Sequence, residues 1–479
     1  MMNEQIIARS GQPNARRNSL NLTQLPLIGR MLRHPWLMGS LQVVSVSILV
    51  LAIGLGIFSE DRKDGLTVLL FWGIFWPLLT CVLTPTVGPA FCAICPHGAM
   101  GKWLQRFGLK KRFPKALRGA WISFSLIFFG YWVIAFAAPG LLSASTQATA
   151  WYFLLFTLFA AGCFFFFADM AYCKHICPLG RVLASHGKAG GLSIRTEQSD
   201  CSRCTTFECA TACHYHLSPF RFEERNNMDN CTLCLDCVQA CDSAELHWMR
   251  PGKSLGQPIK RADPHDYWVI ILILAIAGVG IQFLHGLQHT GLRDSLPWNI
   301  AGAWLHQTLQ ISTETWRLSG LLALLLAIAI TVPLAALGYR SAAKRVQQSP
   351  RALALDLAYA LAPMAILGLI PHAVTMFASK YGPGLVNESA ALLGLAWHVG
   401  PFAERGDTWL KVVGLLPWLG ILWSLQLSWQ RTAFWTTGSS GTQRLAVWAL
   451  ACMPIWLYSS VMLGKIAAFI LLPMPHMHH

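Results

Sequence analysis

Nine mostly apolar runs constrain the fold of this chain more than any other feature of its sequence. A helix needs about 20 apolar residues to cross the hydrocarbon core of a bilayer, and these runs reach or approach that length. They cover residues 37–58, 66–83, 119–138, 151–167, 267–284, 318–338, 352–370, 410–429 and 445–472. The pattern predicts a mainly α, polytopic membrane protein with about nine transmembrane helices.

The composition favours a protein surrounded by lipid. Charged residues make up 12% of the chain, whereas a soluble domain carries about 25%. The net charge of +15 could indicate a nucleic-acid partner. However, the basic residues lie in the segments that flank the apolar runs and not along one soluble face. We therefore expect these basic residues to contact membrane lipid and not nucleic acid.

Lysine and arginine counts in the connecting segments predict the orientation. The N-terminal segment carries five of these residues, residues 102–118 carry seven and residues 340–351 carry four. The alternate segments carry two or none each. Because basic segments stay on the cytoplasmic side, the sequence predicts a multi-pass protein of the bacterial inner membrane. The N-terminus and the segment 171–265 would be cytoplasmic, and the C-terminus would lie outside.

Eight of the 15 cysteines form two sets with the spacing of iron–sulfur ligands. The sets are Cys201-x2-Cys204-x4-Cys209-x3-Cys213 and Cys231-x2-Cys234-x2-Cys237-x3-Cys241. The second spacing is that of bacterial ferredoxins, in which the fourth cysteine ligates the other cluster. The predicted ligands are Cys201, Cys204, Cys209 and Cys241 for one [4Fe–4S] cluster, and Cys231, Cys234, Cys237 and Cys213 for the second. Two four-cysteine zinc sites are the alternative. His214 and Asp242 replace the proline that usually follows the fourth cysteine.

Four further cysteines lie in or just before two Cys-Pro-x-Gly elements that follow predicted helices. Cys92 and Cys95 follow the second apolar run, and Cys173 and Cys177 follow the fourth, so both pairs are expected at the same membrane face. Four converging thiolates are the ligand number of a third [4Fe–4S] cluster. The alternatives are another bound metal, a redox disulfide, or a structural role at the helix ends.

Two membrane-edge Cys-Pro elements followed by a two-cluster ferredoxin segment resemble the membrane polyferredoxins of the NapH, NosR and CcoG type. The resemblance covers roughly residues 40–245 and leaves the C-terminal half unmatched. Cys173 to Pro178 has the Cys-x3-Cys-Pro element of that family, whereas Cys92 to Pro96 has Cys-x2-Cys-Pro. The resemblance implies electron transfer between the quinone pool and a respiratory or assembly partner.

The histidines of the last apolar runs are candidate ligands for haem or copper. We single out His285, His289 and His372, all expected near the outer face. His285 and His289 are four residues apart, so both rings could share one side of a helix. A quinone site and plain interfacial side chains are the alternatives. Asp356 and Lys465 lie within or at the ends of apolar runs, where charge is costly, and each is predicted to be functional.

The sequence thus predicts four domains in chain order. They are a cytoplasmic N-terminal segment (1–36), a four-helix membrane bundle (37–170), a ferredoxin-like domain with two [4Fe–4S] clusters (171–265) and a five-helix bundle with a candidate quinone or haem b site (266–479). The predicted function is electron relay between quinone, or a membrane or outer-face haem, and a redox partner, as a quinol dehydrogenase component. Two alternatives stay open: a membrane reductase that assists assembly of a metal-containing respiratory oxidase, and a membrane anchor subunit of a larger respiratory complex.

Overall fold

The computed structural model describes residues 19–196, 198–222, 230–259, 263–313, 315–404 and 406–472. Residues 1–18, half of the predicted N-terminal segment, lie outside the described residues. The described helices that matter here are α1 (Pro26–Arg33), α2 (Pro35–Phe58), α3 (Leu66–Phe107, interrupted at Cys95), α4 (Trp121–Ala137), α5 (Thr146–Phe166), α6 (Pro178–His186), α7 (Glu208–Thr211), α8 (Asp236–Ala240), α9 (Pro264–His289), α10 (Pro297–Leu309), α11 (Leu318–Arg345), α12 (Pro350–Leu392), α13 (Thr408–Trp435), α14 (Gly441–Ala451) and α15 (Met453–Leu471).

The predicted apolar runs coincide with these helices. Among the described residues, eight helices are long and apolar enough to cross a bilayer, namely α2, α3, α5, α9, α11, α12, α13 and α15. The run 119–138 forms the shorter apolar helix α4. The last run is divided between α14 and α15 at Cys452, just before Pro454. The prediction of a mainly α, multi-pass membrane protein is confirmed.

Proline begins many of the helices. Its fixed φ suits the first helical turn, and its missing N–H would have no partner there in any case. The helices and helix segments that begin with proline include those starting at Pro26, Pro35, Pro96, Pro178, Pro297 and Pro350. These prolines therefore set the start points of the helices that they begin.

The chain folds into two compact units that alternate along the sequence. The first contains Met1–Glu60, Phe75–Leu126 and Ala150–Asp266, and the second contains Asp61–Ile74, Ile127–Thr149 and Tyr267–His479. Because the divisions fall within α3, α4, α5 and α9, these four helices each contribute to both units. The four domains predicted from the sequence stay a prediction.

A small antiparallel sheet organises the cysteine-rich part of the first unit. Its strands are β1 (Leu20–Asn21), β2 (Leu192–Thr196) and β3 (Ala244–Trp248), in the order β1-β3-β2. Ile194 of β2 pairs with Leu246 of β3, and both side chains are buried in a core that also contains Cys209 and Cys237. The segment before α2 thus supplies an edge strand to a sheet whose other two strands follow α5.

The second unit packs apolar helices around Trp132, Phe136, Ile276 and Leu324. Its buried charges include Arg431, whose side chain is 0% exposed. Arg431 pairs with the carboxylate of Asp356, and its Nε donates to the Asp356 carbonyl oxygen at 2.7 Å.

Trp435 Nε1 donates to the second carboxylate oxygen of Asp356 at 2.9 Å. A buried charge is tolerated where it is paired and hydrogen-bonded. Asp356 is thus the counter-ion of Arg431, and its functional role stays a prediction.

Candidate metal centres

The two Cys-Pro-x-Gly elements form the same local structure twice. Cys95 and Cys177 each follow the end of one helical segment and precede the proline that begins the next, with ψ angles of 128° and 117°. A residue before proline is driven out of the helical region, so each Cys-Pro pair breaks the helix at the cysteine. The thiol is thereby placed at the N-terminus of the helix that follows.

The N-terminal N–H groups of those helices point at the two thiols. Cys95 Sγ accepts from the backbone of His97 and Gly98, and Cys177 Sγ accepts from Leu179 and Gly180. A Cβ at position 180 would lie 3.0 Å from the Cys173 carbonyl oxygen. The glycine of the element lets the chain turn back this closely. Backbone donors of this kind stabilise the negative charge of a ligated thiolate.

The four membrane-edge thiols converge, although the two pairs are distant in sequence. Cys92 interacts electrostatically with Cys95, Cys173 and Cys177. All four line one cavity of about 160 Å³. Burial, followed by the neighbouring thiols, raises the pKa of Cys177 to about 12 and that of Cys173 well above its usual range. Such thiols bind as thiolates only if a cation compensates them. A cavity between four of them therefore fits a [4Fe–4S] cluster.

The second set contains Cys213, Cys231, Cys234 and Cys237. Burial and the other three thiols raise the pKa of Cys237, and burial raises the pKa of Cys231 to about 12. Between the last three cysteines, Leu233 and Leu235 have φ angles of 56° and 63°. These left-handed residues form the tight turns that a ferredoxin loop needs to direct successive thiols toward one cluster.

The third set contains Cys201, Cys204, Cys209 and Cys241. Burial, and then Cys241, Cys201 and Cys204, raise the pKa of Cys209 to about 11. Phe207 has a φ of 49°, and its N–H donates to Cys204 Sγ at 3.3 Å. This N–H lowers the pKa of Cys204. The structure thus brings together the two crossed sets expected from the sequence, and their identity as ligands stays a prediction.

The three sets lie next to one another in a row within the first unit. Cys231 of the second set lines the membrane-edge cavity. Tyr215, two residues after Cys213, donates its hydroxyl hydrogen to Cys173 of the membrane-edge set. Cys237 and Cys209 share one apolar core and connect the second and third sets. The order is therefore the membrane edge, the second set and then the third.

Comparisons with known proteins agree with this location. The family described as a 4Fe-4S binding domain matches residues 69–114 and 149–188, which contain both Cys-Pro elements. An uncharacterized protein of Methanocaldococcus jannaschii is 23% identical over 180 residues, or 36% of this chain and 69% of that protein. No solved structure matches the chain.

The chain is a membrane iron–sulfur electron-transfer protein. Its matched segments form a polyferredoxin-like element that binds [4Fe–4S]. Among the described residues, no three His, Cys, Asp or Glu side chains are arranged around one metal ion.

Two ion pairs that the sequence did not predict connect the cysteine-rich segment 171–265, called the insert below, to helices that precede it. Asp236 Oδ2 lies 3.2 Å from Cys234 Sγ, and it accepts from Lys102 of α3 at 2.6 Å and from His214 at 3.0 Å. Burial acts to raise the pKa of Asp236, but His214 and Lys102 together lower it to about 2. His214, which replaces the usual proline, thus helps to balance a carboxylate beside a ligand thiol.

Asp242, the other residue in place of proline, pairs with Arg33 of α1 at 2.9 Å. Arg33 also donates to the carbonyl oxygens of Val238 and Asp242. Asp242 therefore connects a cysteine loop to α1, whereas His214 contacts Asp236 within the same cysteine-rich segment. The spacing of the cysteines does not predict the pair of Lys102 with Asp236 or the pair of Arg33 with Asp242.

The histidines of the second unit are only partly brought together. The rings of His285 and His372 lie with their centroids 5.2 Å apart and their planes at 28°. His289 ends a 3₁₀ segment, Leu287–His289, so the α-helical spacing expected between His285 and His289 does not apply. Lys465 Nζ donates to Gln282 Oε1 at 2.9 Å. The functional roles of these residues stay predictions.

Proposed function

We propose that this chain relays electrons between the quinone pool and a protein partner through three [4Fe–4S] clusters. The observation that carries the proposal is the row of three neighbouring cysteine sets, which begins at the membrane edge and ends at a partly exposed loop. A row of one-electron centres suits electron transfer because the cofactor carries the chemistry while the protein sets spacing and potential.

The proposed ligands are the twelve cysteines of the three sets. Bound clusters would supply one-electron redox centres at these positions. The protein contributes the backbone N–H groups on Cys95, Cys177 and Cys204, which stabilise negative charge on sulfur and so raise the reduction potential. Tyr215 adds a hydroxyl donor to Cys173. The membrane-edge thiols thus accept from both backbone and side-chain donors.

The third set is the proposed exchange point with a protein partner. Cys201 and Cys204 are half-buried, whereas Cys209 is buried. The loop between them exposes the side chains of Arg203 and Phe207. An exposed aromatic ring beside a charged side chain is typical of transient recognition surfaces. We place the redox partner there, on the cytoplasmic side predicted by the charge distribution.

Quantification of iron and acid-labile sulfide in anaerobically purified protein tests the proposal. At about four irons per cubane, three clusters require about twelve irons per chain. A quinol analogue should then reduce the clusters in an EPR titration, and dithionite serves as the reference reductant. A colourless protein, zinc in place of iron, or clusters that dithionite reduces and quinol does not would each contradict the relay.

One observation favours a second candidate, a membrane reductase that handles a metal during oxidase assembly. Two imidazoles bound to one tetrahedral ion at about 2.0–2.1 Å place their ring centroids about 5 Å apart, close to the separation of His285 and His372. Copper titration of the wild type and of His372→Phe tests this candidate. A stoichiometric copper site lost in the variant, without cluster reduction by quinol, would favour assembly over the relay.

A further inference from the structure

Tyr215 is bonded to two of the three cysteine sets. Along the chain it lies two residues after Cys213, a proposed ligand of the second set. Its hydroxyl donates to Cys173 Sγ of the membrane-edge set. A phenol can donate a hydrogen bond, whereas a ligated thiolate can only accept one, so the direction of this contact is fixed. A run of covalent bonds and one hydrogen bond therefore connects Cys213 with Cys173.

The cavities of these two sets share a wall. Cys213, Cys231, Cys234 and Cys237 of the second set line a cavity of their own, beside the membrane-edge cavity. The residues that line both cavities are Ile194, Tyr215, Phe222, Cys231 and Thr232. Tyr215 therefore belongs to the wall between the two proposed cluster positions.

Packing holds the Tyr215 side chain in this wall. It is 4% exposed and lies in an apolar core with the buried Cys213, against which Cys173 also packs. A Cβ at Gly98 would lie 3.9 Å from the Tyr215 hydroxyl oxygen, so the first helix break closes around the phenol from the other side. Close-packed interiors keep side chains in fixed rotamers. The hydroxyl therefore stays directed at Cys173.

We propose that Tyr215 is the bridge through which an electron passes between the membrane-edge cluster and the second cluster. Electrons tunnel faster through covalent and hydrogen bonds than across an unfilled gap of the same length, and the protein supplies the groups between its cofactors. In each transfer one cluster loses an electron and the other gains it, while Tyr215 keeps its proton and is unchanged. The inference rests on the proposed function, to which it adds the path between the first two centres.

Flash photoreduction by a deazaflavin, followed by freeze-quench EPR of the cluster-loaded protein, tests the bridge. The membrane-edge signal is the one that Cys95→Ala with Cys177→Ala removes. The relaxation rate and the final distribution of electrons together give the forward and the backward rate of transfer. Tyr215→Phe keeps the ring and removes the hydroxyl, so both rates should fall. Tyr215→Leu also removes the ring and should lower both rates further.

An equilibrium redox titration of the same variants separates the bridge from an effect on potential alone. Loss of the hydrogen bond to sulfur should lower the reduction equilibrium constant of the membrane-edge cluster about tenfold. For a one-electron couple this is a shift of about 59 mV to lower potential. A lower potential at one centre raises one of the two transfer rates and lowers the other. Loss of the bridge lowers both.

Tyr172→Phe is the matched comparison. Tyr172 is buried in the same apolar core as Tyr215, and of the two cavities it lines only the one at the membrane edge. Removal of its hydroxyl should leave the two rates unchanged or move them in opposite directions. Iron content, measured for every variant, shows whether the clusters are intact.

Rates that stay unchanged in Tyr215→Phe, or that move in opposite directions, overturn the bridge. Unchanged rates would mean that the electron passes directly from Cys231, which also lines both cavities. A wild type with about eight irons has two clusters, and then the bridge and the three-cluster relay are both wrong. Three clusters that quinol does not reduce contradict only the quinone end of the relay, and the flash experiment still decides the bridge.

Discussion

The insert and the membrane edge assemble their thiol sets in opposite ways. In the insert, closely spaced cysteines are directed by tight turns with left-handed residues such as Phe207, Leu233 and Leu235. At the membrane edge, two distant pairs meet because each lies at a proline-induced helix break. Local backbone geometry builds the first kind of site, and packing of helices builds the second. Changes in helix packing should therefore affect cluster binding at the membrane edge and not in the insert.

The largest expected effect separates the two regions by iron content. Cys95→Ala with Cys177→Ala should remove about four irons of about twelve and leave the insert signals in the EPR spectrum. It should also abolish reduction by quinol but not by dithionite. Cys163→Ala is the matched control, since Cys163 is a buried cysteine outside the three sets. Unchanged iron content in the double variant would show that the membrane edge holds no cluster.

The ion pair between Lys102 of α3 and Asp236 of the insert tests the contact between the membrane edge and the insert. Lys102→Met should destabilise the first unit by about 1.5–3 kcal/mol, because it leaves the mostly buried Asp236 without a charged donor beside Cys234. Chemical denaturation followed by cluster absorbance measures the effect. Asp242→Asn at the exposed pair with Arg33 should cost at most about 1 kcal/mol. Equal effects would mean that burial of the first pair is unimportant.

The glycines of the two Cys-Pro-x-Gly elements provide a sharper test of the membrane edge. Gly180→Ala should destabilise its site by about 1–2 kcal/mol through overpacking, because the new Cβ would lie 3.0 Å from a backbone oxygen. Gly98→Ala should cost less, since its nearest neighbour is 3.4 Å away. Thermal loss of the cluster signal compares the two. A larger effect at Gly98 would contradict the geometry of the helix breaks.

The smallest expected effect is a pH dependence of the first unit. His186 ends α6, is 3% exposed, and has a pKa lowered by burial to about 4. The unfolded chain, with its histidine pKa near 6.5, binds this proton first, so stability falls as the pH drops from 6.5 toward 4. Between pH 6.5 and 5.5 the loss should be about 1 kcal/mol. Unfolding curves of the wild type and His186→Leu measure it, and the variant should lack this component.

Much of the fold could be predicted from the sequence because the strongest signals are local. A long apolar run predicts a membrane helix wherever it lies, and the ferredoxin spacing predicts which thiols can reach one cluster. The charges were harder to assign. Asp356 pairs with Arg431, which lies far away in the sequence, and the sequence did not predict this pair. The contact depends on which helices pack together, and apolar runs do not encode that order.

The sequence by itself determined the helices, their breaks at Cys95 and Cys177, and the two crossed cysteine sets of the insert. Only the tertiary structure decided that the two membrane-edge pairs converge and that the three sets lie in a row. Turns and helix breaks depend on neighbouring residues, whereas convergence depends on contacts between segments distant in the chain. Such contacts are selected by packing, for which no single spacing in the sequence is a signature.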